Sequence, residues 1–231
     1  MAKKAAKKPP TQVEANVNEI FSKSEKFIEV YKNHIFIGVG VVILIVMAIL
    51  GIRQFYFLPK EKDAQASIYP GENYMANQKW DLALNGDGKD YTGFLGIIDD
   101  YGFTKTGGLA KAYAGMCYYH LNKSEEALEY LKKYKANDKI VGPIVTGMIG
   151  DCYINLNKVE DGIKYFIKAA SEADSEYLSS IYLKKAGTAY ESVFDYANAV
   201  KVYQKIKSKY PASQEASDID KYIERAKLQI K

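Results

Sequence analysis

Histidine and cysteine, the side chains most often used in covalent, acid–base and metal chemistry, are sparse in this chain. Its 231 residues hold two histidines, His34 and His120, and two cysteines, Cys117 and Cys152. His34 borders a long apolar run and His120 ends a helix-like segment; both read as surface residues, and neither has a ligand partner at metal-binding spacing. The cysteines are too few for a disulfide framework and form no C-x-x-C pair. They fall at matching points of neighbouring helical units, where backbones stand about 8–10 Å apart. A disulfide needs Cα atoms within about 7 Å, so both read as compact buried apolar residues.

The nucleotide and hydrolase signatures are missing as well. There is no H-E-x-x-H, no G-x-S-x-G, and no Walker loop or G-x-G-x-x-G opening a βαβ unit. The stretch Asn85-Gly-Asp-Gly-Lys-Asp90 has the look of a calcium loop. However, Asp90 stands where such a loop needs glycine, and the distal glutamate is absent, so it reads as a solvated turn. With no convergent reactive groups, the sequence points to no enzyme, no cofactor, no metal and no small-molecule substrate.

The strongest element is a membrane-length apolar run. Ile35 to Ile52 reads IFIGVGVVILIVMAILGI, 18 residues without a charge, and apolar residues follow to Leu58 around Arg53 and Gln54. At about 1.5 Å per helical residue, that crosses a hydrocarbon core of about 30 Å. Phe55, Tyr56 and Phe57 supply an interfacial aromatic collar, and Pro59 is expected to close the helix. A cleaved signal peptide fits poorly, since 34 residues precede the run and no clear A-x-A site follows it. Residues 35–58 are therefore expected to be a retained span in contact with lipid.

Charge is distributed to match. Residues 1–34 hold seven lysines and four acids, whereas 59–231 hold 24 basic and 24 acidic groups. The excess before the span favours a cytoplasmic N-terminus, with the C-terminal part on the far side. The balanced remainder has no surplus with which to displace counterions, which argues against nucleic-acid binding. Residues 1–10, MAKKAAKKPP, read as a disordered basic tail. In 11–34, Thr11 and Glu14 form a capping-box pattern, and Val13, Val17, Ile20, Phe27 and Tyr31 recur at helical spacing. That segment is expected to lie on the membrane as an amphipathic juxtamembrane helix, to pack on a partner helix, or to extend the span.

Beyond the span, the chain repeats itself. Ala114–Tyr134, Ile149–Ala169 and Ala186–Ile206 align on Gly115, Gly150 and Gly187. Each glycine is followed at +3 by Tyr118, Tyr153 or Tyr190, at +12 by Ala127, Gly162 or Ala199, and at +16 by Leu131, Phe166 or Tyr203. Each unit reads as two antiparallel helices turning near Asn122-Lys123, Asn157-Lys158 and Phe194-Asp195. The small pair brings the helices together, and the large residues fill the space beside it. One hairpin cannot bury that face alone, so the units must stack as an all-α solenoid. Domain limits follow: a degenerate first repeat with an insertion over 59–108, three repeats over 109–211, and a capping helix over 212–231. In the first, Glu61–Asn77 is the expected first helix, bent or broken at Pro70, with Trp80, Ala83 and Leu84 opening its partner and Tyr91–Tyr101 returning to helix.

These landmarks resemble the tetratricopeptide repeat family, down to Pro211 at the end of the third unit. Lys111, Thr146 and Leu183 replace the family's early tryptophan, and Gly162 replaces its usual alanine. The resemblance implies a concave groove lined by first helices that binds proteins or peptides. Its facing residues would be Ala112, Met116 and Tyr119; Gly147, Asp151 and Ile154; and Lys184, Thr188 and Glu191. The lysine–asparagine clamp that some members close on a partner's terminal carboxylate is missing, because Ala112, Met116, Gly147 and Asp151 occupy those places. The whole layout is similar to the ancillary SecYEG translocon subunits (YfgM-like proteins). That similarity implies a single-pass protein of the bacterial inner membrane with a periplasmic repeat domain, meeting the secretion channel or envelope chaperones. A structural scaffold for an envelope or division complex is the other expectation.

Overall fold

The computed structural model describes residues 12–135 and 138–230, with backbone alone for 12–28 and for Ile35. The basic tail, Thr11, and the apolar stripe before Tyr31 lie outside the described residues and side chains. The chain divides into two units that meet at Leu58 and Pro59.

The first unit holds helix α1 (Gln12–Ile52), unbroken across residues 34 and 35, and a π-helical turn at Arg53–Phe57. From Glu29 onward none of its described residues is buried. Apolar side chains cover this stretch all round, so no solvated face opposes a packed one. It is the one helix among the described residues long and apolar enough to cross a membrane.

The second unit is built of helical hairpins. Helices α2 (Leu58–Ala76) and α3 (Trp80–Asn85) form the first, followed by α4 (Gly93–Tyr101). Three full hairpins follow: α5 (Lys105–His120) with α6 (Ser124–Lys133), α7 (Val141–Asn155) with α8 (Val159–Ala173), and α9 (Glu176–Ser192) with α10 (Tyr196–Lys209). Helix α11 (Ile219–Leu228) packs on α10 and ends the stack. No strand occurs among the described residues. This is a tetratricopeptide-like helical solenoid.

Two proline expectations need correction. Pro59 does not close a helix: Leu58 is itself helical and its N–H donates back to the Arg53 carbonyl, so helical backbone runs from the π turn through the proline into α2. Pro70 does not break α2 either. The helix continues to Ala76, held by Ile68 two residues before the proline, which is buried with Leu84 and Phe94, and by Gly71 directly after it, which lies beneath the Tyr91 and Phe94 rings.

The glycines act by close approach. A Cβ on Gly115 would fall 2.6 Å from Leu131 Cγ, one on Gly150 2.7 Å from Phe166 Cδ1, and one on Gly187 within the ring of Tyr203. Leu131, Phe166 and Tyr203 are all buried, and they belong to the two clusters that run from α5 to α11. The first hairpin repeats this design with a substitute. Gly71, Tyr74 and Ala83 keep the +3 and +12 spacing, but Asp87 occupies +16. Phe94 of α4 fills the place instead, and its ring would lie 2.5 Å from a Cβ on Gly71.

All four hairpins share one turn. Gln78, Asn122, Asn157 and Phe194 are left-handed, with φ of 58°, 61°, 58° and 62°. In each, the following N–H donates back to the repeat tyrosine: Lys79 to Tyr74, Lys123 to Tyr118, Lys158 to Tyr153 and Asp195 to Tyr190, all at 2.9 Å. Asparagine tolerates this conformation and phenylalanine does not, at about 1–2 kcal/mol per residue. Phe194 is 78% exposed, so little packing offsets the strain. Phe194→Asn is expected to stabilise the protein by about 0.5–1 kcal/mol, read as a raised urea midpoint with unchanged m-value.

The first hairpin is tied to the second by a carboxylate. Glu61 accepts from the Lys105 and Thr106 backbone N–H groups at 2.9 and 3.3 Å and from the Thr106 hydroxyl at 2.7 Å, capping α5 from α2. Burial pushes the Glu61 carboxyl up, but the hydrogen bonds from Thr106, Gln65 and Lys105 outweigh it and hold the group below the ordinary range. Glu61→Gln is expected to cost about 1–2 kcal/mol at neutral pH. A depressed folded-state pKa makes this stability present above the ordinary carboxylate range and lost as pH falls through the folded value. Urea midpoints of the two proteins should therefore converge on acidification.

Candidate partner-binding groove

Helices α5, α7 and α9 open successive repeats, so their equivalent faces lie side by side. Between α7 and α9 there is a cavity of about 430 Å³. Asp151 and Ile154 reach it from α7, and Ile181, Lys184, Lys185, Thr188 and Ala189 from α9, over a floor that includes Phe166. The exposed lining is mostly apolar, and Asp151, Lys184, Lys185 and Glu215 bring charge to it.

Part of that charge is an ion pair between adjacent repeats. Lys185 Nζ donates to both Asp151 oxygens at 2.8 and 2.7 Å. The Asp151 side chain is only 19% exposed. Burial pushes its carboxyl above the ordinary value, and the hydrogen bond and charge of Lys185 oppose this without cancelling it. The Lys185 ammonium also lies 5.6 Å from the Phe166 ring and 6.0 Å from that of Tyr182. Lys184 turns the other way, donating to Asp218 at 3.1 Å and standing 4.6 Å over Tyr222. Thr188 is exposed, and its hydroxyl donates to the Lys184 carbonyl at 3.1 Å.

The nine residues expected to face a groove thus part company. Asp151, Ile154, Lys184 and Thr188 share this cavity. Glu191 is held outside it, accepting from Arg225 at 2.8 and 2.9 Å and from the Tyr203 hydroxyl at 2.9 Å. Met116 and Tyr119 are half-buried against the α5–α8 cluster. Ala112 is a correction: it is completely buried with Val145 and Ile149, because its small side chain lets α7 close over it. Gly147 is covered too, with the Tyr182 ring where a Cβ would stand.

Lys185, Ile181 and Ala189 escaped the sequence reading, although a signal existed. Asp151 and Lys185 are 34 residues apart, as are Lys184 and Asp218, and Glu191 and Arg225; Asp174 and Lys209 are 35 apart. Opposite charges offset by one repeat mark pairs between neighbouring units.

The residues with latent chemistry are placed apart. Cys117 and Cys152 are buried, and burial pushes both thiols up to about 12, away from thiolate reactivity. His120 stacks on Trp80 at 4.0 Å, and burial lowers its pKa. Among the described residues no cluster of three His, Cys, Asp or Glu side chains could hold a metal.

The comparisons agree with the hairpins. Family models described as tetratricopeptide repeat match residues 113–138 and 183–213, and a second such model matches 147–175. Each match falls on one of the three full hairpins, beginning within its first helix, and the chain carries tetratricopeptide repeats. No curated protein sequence matches. The similar solved structures include two of MamA. A crystal structure of MamA gives a TM-score of 0.49 at 15% identity, covering 69% of this chain and 93% of that one. A crystal structure of MamA protein gives 0.48 at 14%, covering 72% and 91%. Repeats of this kind are in general protein-interaction scaffolds rather than catalysts.

Proposed function

We propose that this repeat-containing chain is a membrane-anchored interaction protein that holds its repeats beside a secretion channel and passes polypeptides to envelope chaperones. The observation that carries the interaction role is the α7–α9 cavity. It offers apolar surface and a half-buried ion pair on the equivalent faces of two repeats, with room for an apolar side chain and a backbone hydrogen bond. The anchor rests on α1, whose apolar surface is covered by nothing in its own unit. An orientation with the N-terminus in the cytoplasm and the repeats in the periplasm rests on the lysines before the span. The translocon setting rests on the layout of tail, span and repeats, which resembles the ancillary translocon subunits. Mixed lining favours transient contact with varied segments over one tight ligand.

The test is a photo-crosslinking residue at Thr188, which is exposed at the cavity, in cells expressing the full chain. Channel subunits or envelope chaperones are expected among the products. One stoichiometric folded partner from an envelope or division complex would replace this reading with a scaffold.

A further inference from the structure

Each loop that leaves one hairpin for the next lies at the same edge of the second unit. Two of these loops and the first turn of α9 after the next one expose a large apolar residue: Phe103 at 49%, Ile140 at 67% and Tyr177 at 67%, spaced 37 residues apart each time. At the opposite edge the turns expose Gln78, Asn122 and Asn157 with Leu121 and Leu156 half-buried, and the last turn exposes Val193 and Phe194. The chain also begins this unit at the apolar edge. Lys60 stands 5.4 Å over the Tyr101 ring, and Glu61 caps α5 beside Phe103. Between the first two loops lies a cavity of about 620 Å³ whose lining includes Lys105, Lys111, Lys133 and Lys135 against one acid, Asp138. Asp138 is already engaged, accepting from the Ile140 and Gly142 backbone N–H groups at 2.8 and 3.4 Å. Lys133 pairs with Glu129, and Lys111 donates to the Gly102 carbonyl. Lys105 and Lys135 have no acidic partner among the described residues.

We propose that this edge docks on the bilayer that holds the span, with Phe103, Ile140 and Tyr177 inserted at the interface and an anionic lipid headgroup in the lysine-lined cavity. Apolar tips around a basic hollow match the layering of an anionic membrane surface, where phosphate lies just outside the acyl boundary. Continuity with the residues that follow the span fixes the choice of lipid over a soluble partner. The proposal rests on the anchoring reading above.

The test uses the full chain in lipid nanodiscs, with bimane placed on one introduced cysteine at a time and doxyl-labelled lipid as quencher. The native thiols are buried and unreactive at neutral pH, so each chain carries a single probe. Val42→Cys reports the span, Ile140→Cys the proposed contact, and Glu125→Cys the opposite edge. Quenching is expected at 42 and 140 but not at 125, and at 140 only when phosphatidylglycerol is present. Reversing both free charges, Lys105→Glu with Lys135→Glu, is expected to cut the docked fraction at 140 at least about tenfold, with circular dichroism unchanged. Quenching at 42 without quenching at 140 overturns the docking and leaves the anchor standing. Absence of quenching at 42 overturns both. Equal quenching at 140 in phosphatidylcholine alone overturns the headgroup site. Shielding of the 140 probe by a polyglutamate peptide, without any lipid response, assigns the cavity to an acidic protein segment and overturns the proposal.

Discussion

Gly187→Leu is expected to unfold the last full hairpin, at a cost of about 4 kcal/mol or more. Helix propensity alone argues the reverse, since replacing a helical glycine recovers up to about 1 kcal/mol. Space decides the sign. The Tyr203 ring occupies the position a Cβ would take, it is completely buried, and its hydroxyl is held by Glu191 at 2.9 Å, so it cannot swing aside. Even Gly187→Ala should cost about 1–3 kcal/mol through overpacking. Gly108→Ala supplies the contrast, because nothing lies within 4 Å of its Cβ position; it should stabilise by up to about 1 kcal/mol. Urea unfolding of the three variants, with a Gly187→Ala/Tyr203→Leu double-mutant cycle, separates crowding from propensity. A Gly187→Ala protein as stable as the parent would dismiss the close-approach account.

The second large effect is at the groove. Lys185→Ala removes the partner of a carboxylate that burial already disfavours in its charged form. Breaking a fully buried pair costs about 3–5 kcal/mol; the Lys185 side chain is 41% exposed, so about 2 kcal/mol is expected after solvent screening. The pH dependence follows from the raised Asp151 pKa. The folded state binds its proton more readily than the unfolded chain, so the penalty is full above the folded pKa and relieved as pH falls through it. The midpoint gap between Lys185→Ala and the parent should thus narrow on acidification, opposite in cause to the Glu61 case. Asp151→Leu with Lys185→Met should fold at near-parental stability while losing crosslinks from Thr188. A penalty that grows with acid would contradict the burial of Asp151.

These two cases show what a linear reading delivers. The Gly187–Tyr203 contact is written in the sequence as a spacing of 16, repeated at Gly115 and Gly150, and helical geometry converts that spacing directly into an approach. The first hairpin shows the limit. Its Gly71, Tyr74 and Ala83 keep register, but the fourth landmark, Phe94, comes from a different helix after the Gly86–Tyr91 turn, so a fixed-period search sees only an acid at +16. Ala112 failed for a related reason. Which first-helix positions stay open depends on how closely the next unit approaches, and a small residue invites the closure that hides it. Asp151 and Lys185 belong to separate repeats, so their meeting depends on stacking between units rather than on either helix alone.

Glu61 joins α2 to a helix that begins 44 residues later. Tension arriving along the chain at residue 58 therefore cannot peel α2 away alone; it loads α5 at once, through hydrogen bonds aligned on that helix's own N-terminus. Mechanical unravelling from residue 58 must start by rupturing that latch, so the first hairpin should yield in one step at a higher force than hairpins pulled from the opposite terminus.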